Sequence, residues 1–267
     1  MGPLDDTMLV KTSEMRGVEI DEAHRIARVE AGALWIDVTA PASEAGLAPL
    51  AGSSPDVGVV GYTLGGGLSW LGRKYGLACN RLVLESDERA EELLAPLRAL
   101  GPEMDTFAAI PPVGLSRIHM DPEHPVPAMS DSALLDGLTA ETIDALVDAA
   151  GPDSGSPPLL VELRHLGGAL GRYAGGALAR FDGEYLYFAC GIPMDPAVAA
   201  ALEAHFAIVG AVLAEQASGR QYLNFAERPT DAAAFYGEET YARLRRLKAE
   251  VDPLELFRGN HDIPAAG

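Results

Sequence analysis

The segment GSSPDVGVVGYTLGGGLSWLGRKYGLACN, residues 52–80, limits what this chain can fold into more than any other feature. Residues 52–67 hold six glycines, interleaved with Val, Leu and Tyr. A plain connecting loop would be more polar, and a packed strand would carry fewer glycines. Removing side chains lets backbone N–H groups approach an anion, and successive N–H groups in a turn form a concave anion site. Val57, Val59, Val60, Leu64 and Leu68 offer an apolar wall for a flat ring. An anion cradle beside such a wall suits a dinucleotide; a tight packing corner is the competing explanation.

Composition narrows the classes. With 267 residues, 48% of them hydrophobic, the chain can build one large domain or two modest ones around a sizeable core. A net charge of −19 argues against nucleic acid as a partner, because phosphate contacts need clustered Lys and Arg. No apolar run of membrane-spanning length is expected, so no membrane partner is either. The opening MGPLDDTMLVKTSE lacks the basic start and apolar block of a signal peptide. Cys79 and Cys190 form no spacing motif and fit a reducing cytoplasm, as small buried hydrophobes.

Periodicity predicts a mixed α+β chain. Strands are expected over 7–12, 17–21, 25–32, 159–166 and 184–191. Helices are expected over 33–46, interrupted by Pro41, and over 87–100 and 139–151, the latter with Ile143, Leu146 and Val147 on one face. The clearest helix spans 195–219: Asp195 caps it, Pro196 sits in its first turn, and Gly219 ends it. Val198, Leu202, Phe206, Val209 and Leu213 line one of its faces. A last helix is expected over 238–253.

Neither a P-loop nor a Rossmann fingerprint is present. HMDPEH (119–124) matches an inverted zinc motif only superficially, because Pro122 breaks the helix that would align its histidines, and no metal is expected. His24, His205 and His261 read as surface or capping residues.

RVEAGALWIDV followed by the glycine segment resembles the PCMH-type FAD-binding domain of the vanillyl-alcohol oxidase and p-cresol methylhydroxylase family. QYLNF…FYGEETYARLRRLKAEVDPLELFRGNHDIP (221–264) resembles the closing segment of its berberine-bridge-enzyme-like branch, and LRALGPEMDTF and ELRHLGGAL are similar to the substrate domain of bacterial members. The resemblance implies a partial FAD-binding domain (1–82), a partial substrate domain (83–220) whose antiparallel sheet covers the flavin, and a C-terminal segment (221–267) returning to the FAD-binding domain. It implies FAD against Gly52, Ser53, Ser54, Val57, Gly58, Gly61, Tyr62, Gly65, Gly66 and Gly67, with Asn224 holding the flavin or its loop. It implies an oxidase that moves hydride from a small alcohol, sugar or secondary metabolite to flavin N5 and then to oxygen. Tyr222 would be the base, which demands a lowered pKa or concerted transfer. His165 is a candidate substrate contact; Arg164 is expected to be ion-paired on the sheet.

The departures from the family shape further expectations. Relatives begin earlier, many with a histidine bonded covalently to flavin, and the resemblance implies that doubly linked members use a cysteine where Ser54 stands. FAD is therefore expected to bind non-covalently. A second gap is expected near 82–87, so that roughly half of each domain is missing. The exposed edges and apolar faces left behind would favour a homodimer. A shortened, flavin-free relative acting as a binding or subunit protein is the alternative function.

Overall fold

The computed structural model describes residues 8–79, 95, 98, 99, 101, 110–119, 121 and 126–266. Val18–Asp21 (β1) and Ile26–Val29 (β2) pair antiparallel, Val18 opposite Val29. The strand expected over 7–12 does not form. Met8, Leu9 and Val10 are 75–85% exposed, so this stretch has strand-like composition but no apolar surface to cover.

Trp35–Glu44 (α1) continues through Pro41 without interruption. Proline removes one intrahelical bond, while the helix buries Trp35, Val38 and Ala42. The turn after Pro41 is closed by the N–H of Ala45 on its carbonyl, at 3.2 Å, and of Leu47 on Ala42, at 2.7 Å. At the other end the Asp37 carboxylate accepts the Leu34 N–H at 2.9 Å and a forked bond from Arg16. Val59–Leu64 (α2) and Gly72–Tyr75 (α3) are short helices within the glycine segment. Trp35, Val38, Ala51 and Val59 form a small core here, against Val18, Ile20, Val29 and Tyr62.

Met129–Leu135 (β3), Leu160–His165 (β4) and Tyr185–Gly191 (β5) make an antiparallel sheet in the order β3–β5–β4. One face carries Leu135, Tyr187 and Ala189 against Ala140–Ala150 (α4) and Pro196–Leu213 (α5), through Leu146, Leu202, Phe206, Val209 and Leu213. Strand alternation puts Glu162, Phe188 and Ser132, which are in register, on the opposite face. That face meets the glycine segment and the C-terminal segment. Between them lies a core of Leu68, Leu77, Leu134, Leu166, Leu186 and Tyr222.

Two helices depart from expectation in detail. In α4 the buried row is Thr142 and Leu146, whereas Ile143 and Val147 are 45% and 55% exposed. The apolar pattern allowed either row. The Thr142 hydroxyl can be buried because it bonds the Thr139 hydroxyl at 3.0 Å. Helix α5 begins as expected, with Asp195 accepting from the N–H groups of Ala197 and Val198 at 2.8 and 2.9 Å, but ends at Leu213, before Gly219. Its 18 residues are long and apolar enough to cross a membrane, contrary to the expectation that no run had that length. Here its apolar row is buried on the sheet.

Glu238–Val251 (α6) lies within the expected span. The expected helix over 87–100, apart from three of its residues, the join near 82–87, and Met120 and 122–124 of HMDPEH lie outside the described residues. Cys79 is exposed and Cys190 half-buried, so Cys79 is not the buried hydrophobe expected. Residues of β2, α1 and α2 line an open, mainly apolar groove of about 480 Å³.

Candidate functional site

Where the two halves of the sequence meet, a cavity of about 220 Å³ is lined by Gly52, Ser53, Ser54, Val57, Tyr62 and Leu68 from the glycine segment. Arg164 comes from β4, and Tyr222, Asn224 and Phe225 from the C-terminal segment. Seven of the residues expected to contact FAD or act as base, Gly52, Ser53, Ser54, Val57, Tyr62, Tyr222 and Asn224, thus share one cavity. A neighbouring chamber of about 270 Å³ shares Ser53, Leu68 and Arg164 with it and adds Trp70, Glu162 and His165.

Tyr222 is 1% exposed. Its phenol oxygen accepts the Leu68 N–H at 2.9 Å and the Asn224 amide Nδ2 at 3.0 Å. Both acceptor positions are filled, which leaves the O–H as the group free to act on a ligand. Burial pushes the Tyr222 pKa well above the ordinary phenol value, opposite to the lowering a base requires; the Leu68 and Asn224 bonds and the Arg164 charge pull it back down. Asn224 also donates to the Tyr62 carbonyl at 3.0 Å. The Tyr62 hydroxyl donates to Leu50 O at 3.1 Å, and its ring packs edge-on against Trp35 at 5.3 Å.

These contacts explain part of the glycine pattern. A Cβ on Gly65 would lie 1.7 Å from Asn224 Oδ1, and one on Gly67, where φ is +74°, 2.6 Å from the Tyr62 ring. At Gly65 and Gly67 the groups that approach the backbone are the chain's own side chains. The Gly65 and Gly66 N–H groups are committed to Gly61 and Thr63 carbonyls. Gly58 and Gly61 are different: a Cβ on either meets nothing within 4 Å, and φ at Gly58 is an ordinary −64°. Neither packing nor conformation requires glycine there. The bare backbone at these two positions, together with the cavity wall at Gly52–Ser54, fits FAD. Residues 52–54, Val57 and Tyr62 would hold it, with Gly58 and Gly61 giving close backbone approach.

Arg164 was expected to be a paired surface residue. It is paired, bidentate with Glu162 at 2.6 and 3.0 Å, but it also lines the cavity, 5.1 Å over the Phe225 ring and 6.0 Å from that of Trp70. Glu162 faces His119 Nε2 at 3.4 Å, and His119 Nδ1 contacts Asp121 at 2.7 Å. Phe225 and Leu68 also line the cavity. Phe225 has a signal in Tyr-x-Asn-Phe, and Leu68 is one of the apolar residues of the glycine segment expected to face a flat ring. His165 projects from the other face of β4. It stacks on Tyr185 at 5.0 Å and accepts from Arg73 at 2.8 Å, so it lines the outer chamber and not the central cavity. Ser54 is bonded to Asp56 at 2.8 Å.

The other histidines correct the surface reading in two of three cases. His24 is exposed and bonded to Asp21. His205 is buried, with Nε2 2.9 Å from Ser156 Oγ, and His261 Nε2 donates to Ala226 O at 2.9 Å while its ring packs on Phe235.

Two family models match this chain: the FAD binding domain over residues 1–84, and berberine and berberine-like proteins over residues 221–264. An uncharacterised FAD-linked oxidoreductase of Bacillus subtilis is 36% identical over 80 residues, which are 30% of this chain and 18% of that protein. The (R)-6-hydroxynicotine oxidase of Paenarthrobacter nicotinovorans is 31% identical over 108 residues, 36% of this chain and 24% of that one. The matches thus span about a quarter or less of these relatives' length. In overall shape the chain is similar to BBE-like 1 of Physcomitrella patens (TM-score 0.76, 16% identity, 96% of this chain and 81% of that one). It is also similar to xylooligosaccharide oxidase from Myceliophthora thermophila (TM-score 0.74, 15% identity, 98% and 82%).

Proposed function

Because the chain belongs to the PCMH-type, berberine-like family of FAD-binding proteins, we propose that it is an oxidase taking hydride from a small alcohol, sugar or secondary metabolite and passing the electrons to oxygen. The observation that carries this reading is the convergence, on one cavity, of the glycine segment and the Tyr-x-Asn-Phe segment. FAD, when bound, supplies the hydride acceptor and the route to oxygen. The chain's own residues do the rest. Gly52–Ser54 and Val57 form one wall and Phe225 another, excluding water from the reacting bond. Tyr222, as a neutral phenol, donates its O–H to a substrate oxygen and orients it. As a phenolate, held by the Leu68 N–H and the Asn224 amide, its oxygen takes the substrate's hydroxyl proton as hydride leaves the same carbon.

The relatives' names support a small-molecule substrate without choosing one: one oxidises a hydroxynicotine, another a xylooligosaccharide. The test is to purify the chain with FAD, screen alcohols and sugars anaerobically for loss of the oxidised flavin absorbance, then admit oxygen. Bleaching by a substrate and recovery in air are expected. A chain that takes up no flavin, or flavin that no candidate reduces, overturns the proposal.

A further inference from the structure

The outer chamber beside the central cavity carries a positive charge that its own walls do not neutralise. The chain holds 39 Asp and Glu against 20 Lys and Arg, so a carboxylate is the expected partner of an arginine. Arg73 lines the chamber without a carboxylate partner among the described residues; its Nη1 lies 2.8 Å from Nδ1 of His165. A guanidinium only donates, so His165 Nδ1 accepts and the ring proton sits on Nε2. Nε2–H of His165, and Nε and Nη2 of Arg73, thus remain as donors without a partner among the described residues.

The acid that lines this chamber, Glu162, does not answer the charge. Its Oε1 takes Arg164 Nε at 2.6 Å, and its Oε2 takes Arg164 Nη2 at 3.0 Å with His119 Nε2 at 3.4 Å. Glu162 and Arg164 cancel, which leaves the Arg73 charge unmatched in a chain of net charge −19.

The meeting of Arg73 and His165, 92 positions apart, is built into the backbone. His165 is the last residue of β4, and Gly167 and Gly168 follow at φ of +93° and +56°. This turn brings the Ala169 N–H onto the Arg73 carbonyl at 2.7 Å, and a Cβ on Gly168 would lie 2.3 Å from that oxygen. The end of β4 is thereby fastened to α3, while Tyr185 stacks on the imidazole at 5.0 Å.

We propose that the outer chamber receives a carboxylate of the substrate, gripped by the Arg73 guanidinium and the His165 Nε2–H. The assignment rests on the oxidase reading above and names its substrate class: small hydroxy acids, with the carbinol beside Tyr222 and the carboxylate beside Arg73. The two compartments share Ser53, Leu68 and Arg164, so one molecule can span them along the Trp70 wall. A planar fork matches a carboxylate. A single unmatched charge suits a monoanion, whereas a phosphate dianion would bring excess negative charge toward Glu162. The carboxylate takes no part in the chemistry; it selects which alcohols enter.

The test titrates the full chain calorimetrically with lactate, 4-hydroxybutyrate, mandelate and 4-(hydroxymethyl)benzoate, each matched to its neutral primary amide. The chain is used as purified and after loading with FAD, kept anaerobic. At least one acid is expected to bind about tenfold or more tighter than its amide, and Arg73→Met is expected to abolish that preference. Arg73→Lys, which keeps the charge but loses the fork, should retain part of it. The fastening to Ala169 uses the backbone of residue 73, so the Met variant should fold as the parent does; should it not, Arg73→Gln is titrated in its place. A parent that prefers no acid over its amide overturns the proposal, as does a preference that survives Arg73→Met. Tighter binding of 4-(hydroxymethyl)phenyl phosphate than of the benzoate overturns it too, by making the chamber a phosphate site. Failure of the oxidase reading has a different signature: acids preferred over amides, Arg73-dependent, with flavin that none of them reduces. Flavin bleached equally well by acids and amides keeps the oxidase and removes the carboxylate site.

Discussion

The phenol oxygen of Tyr222 accepts the backbone N–H of Leu68 at 2.9 Å, joining positions 154 residues apart in sequence. Removing that oxygen leaves a buried N–H and half of the Asn224 amide without their partner. Tyr222→Phe should therefore lower stability by about 1–3 kcal/mol as well as affect chemistry. Flavin reduction by substrate should slow about 10²–10⁴-fold while reoxidation by oxygen stays near the parent's rate. Denaturant unfolding and anaerobic stopped-flow of the two half-reactions check the two parts separately.

The glycines divide into two kinds, and substitution should separate them. Gly65→Ala places its Cβ 1.7 Å from Asn224 Oδ1. Asn224 must then leave its bonds to Tyr62 and Tyr222, and a loss of about 1–3 kcal/mol is expected in thermal or urea unfolding. Gly58→Ala meets nothing within 4 Å at an ordinary φ. Its stability should be equal or higher by about 0.4–1 kcal/mol. If FAD approaches the bare backbone there, its affinity should fall about tenfold or more, about 1.4 kcal/mol, in a flavin titration.

His205 gives the fold a pH dependence. Burial lowers its pKa below the ordinary histidine value, which favours the neutral ring beside Ser156 in the folded state. The unfolded chain binds the proton more readily, and stability rises with pH wherever that holds. Stability should thus fall as pH drops below about 6.5 toward the lowered folded-state pKa. His205→Gln should flatten that part of the curve, measured as urea midpoints at a series of pH values between neutral and mildly acidic.

The family resemblance implies a serine, Ser54, at the position of a second flavin link, and the Ser54 hydroxyl is occupied with Asp56. Flavin bound by this chain should pass wholly into the supernatant on acid precipitation. Fluorescence remaining with the pellet would mean a covalent bond to another residue.

How far the sequence exposed the architecture depends on how local each cause is. Asp195 and Pro196 announce the start of α5 because a cap acts within one turn. The inward row of α4 was not legible, since Ile143–Val147 and Thr142–Leu146 differ only by which side meets the sheet. Pro41 does not interrupt α1, because one lost hydrogen bond matters less than burying Trp35 and Val38. At the site, the glycine and Tyr-x-Asn-Phe segments were visible as patterns, and their meeting was carried by resemblance. Arg164 was seen as an ion-paired strand residue; its place at the cavity wall arises from Phe225, 61 positions later in the sequence, which no local pattern reports.

The core that seats Tyr222 also contains Leu68, Leu134 and Leu186, from three stretches far apart along the chain. Contacts of such separation form only after long loops have closed, which makes them slow and late in folding. No isolated fragment can therefore rehearse the cavity before the rest of the molecule is built. A ligand seated between residues 52–57 and 222–225 would tie those distant loops together from outside the covalent chain. At a free concentration one hundred times its dissociation constant, it would add about 2.7 kcal/mol to the stability of the whole fold.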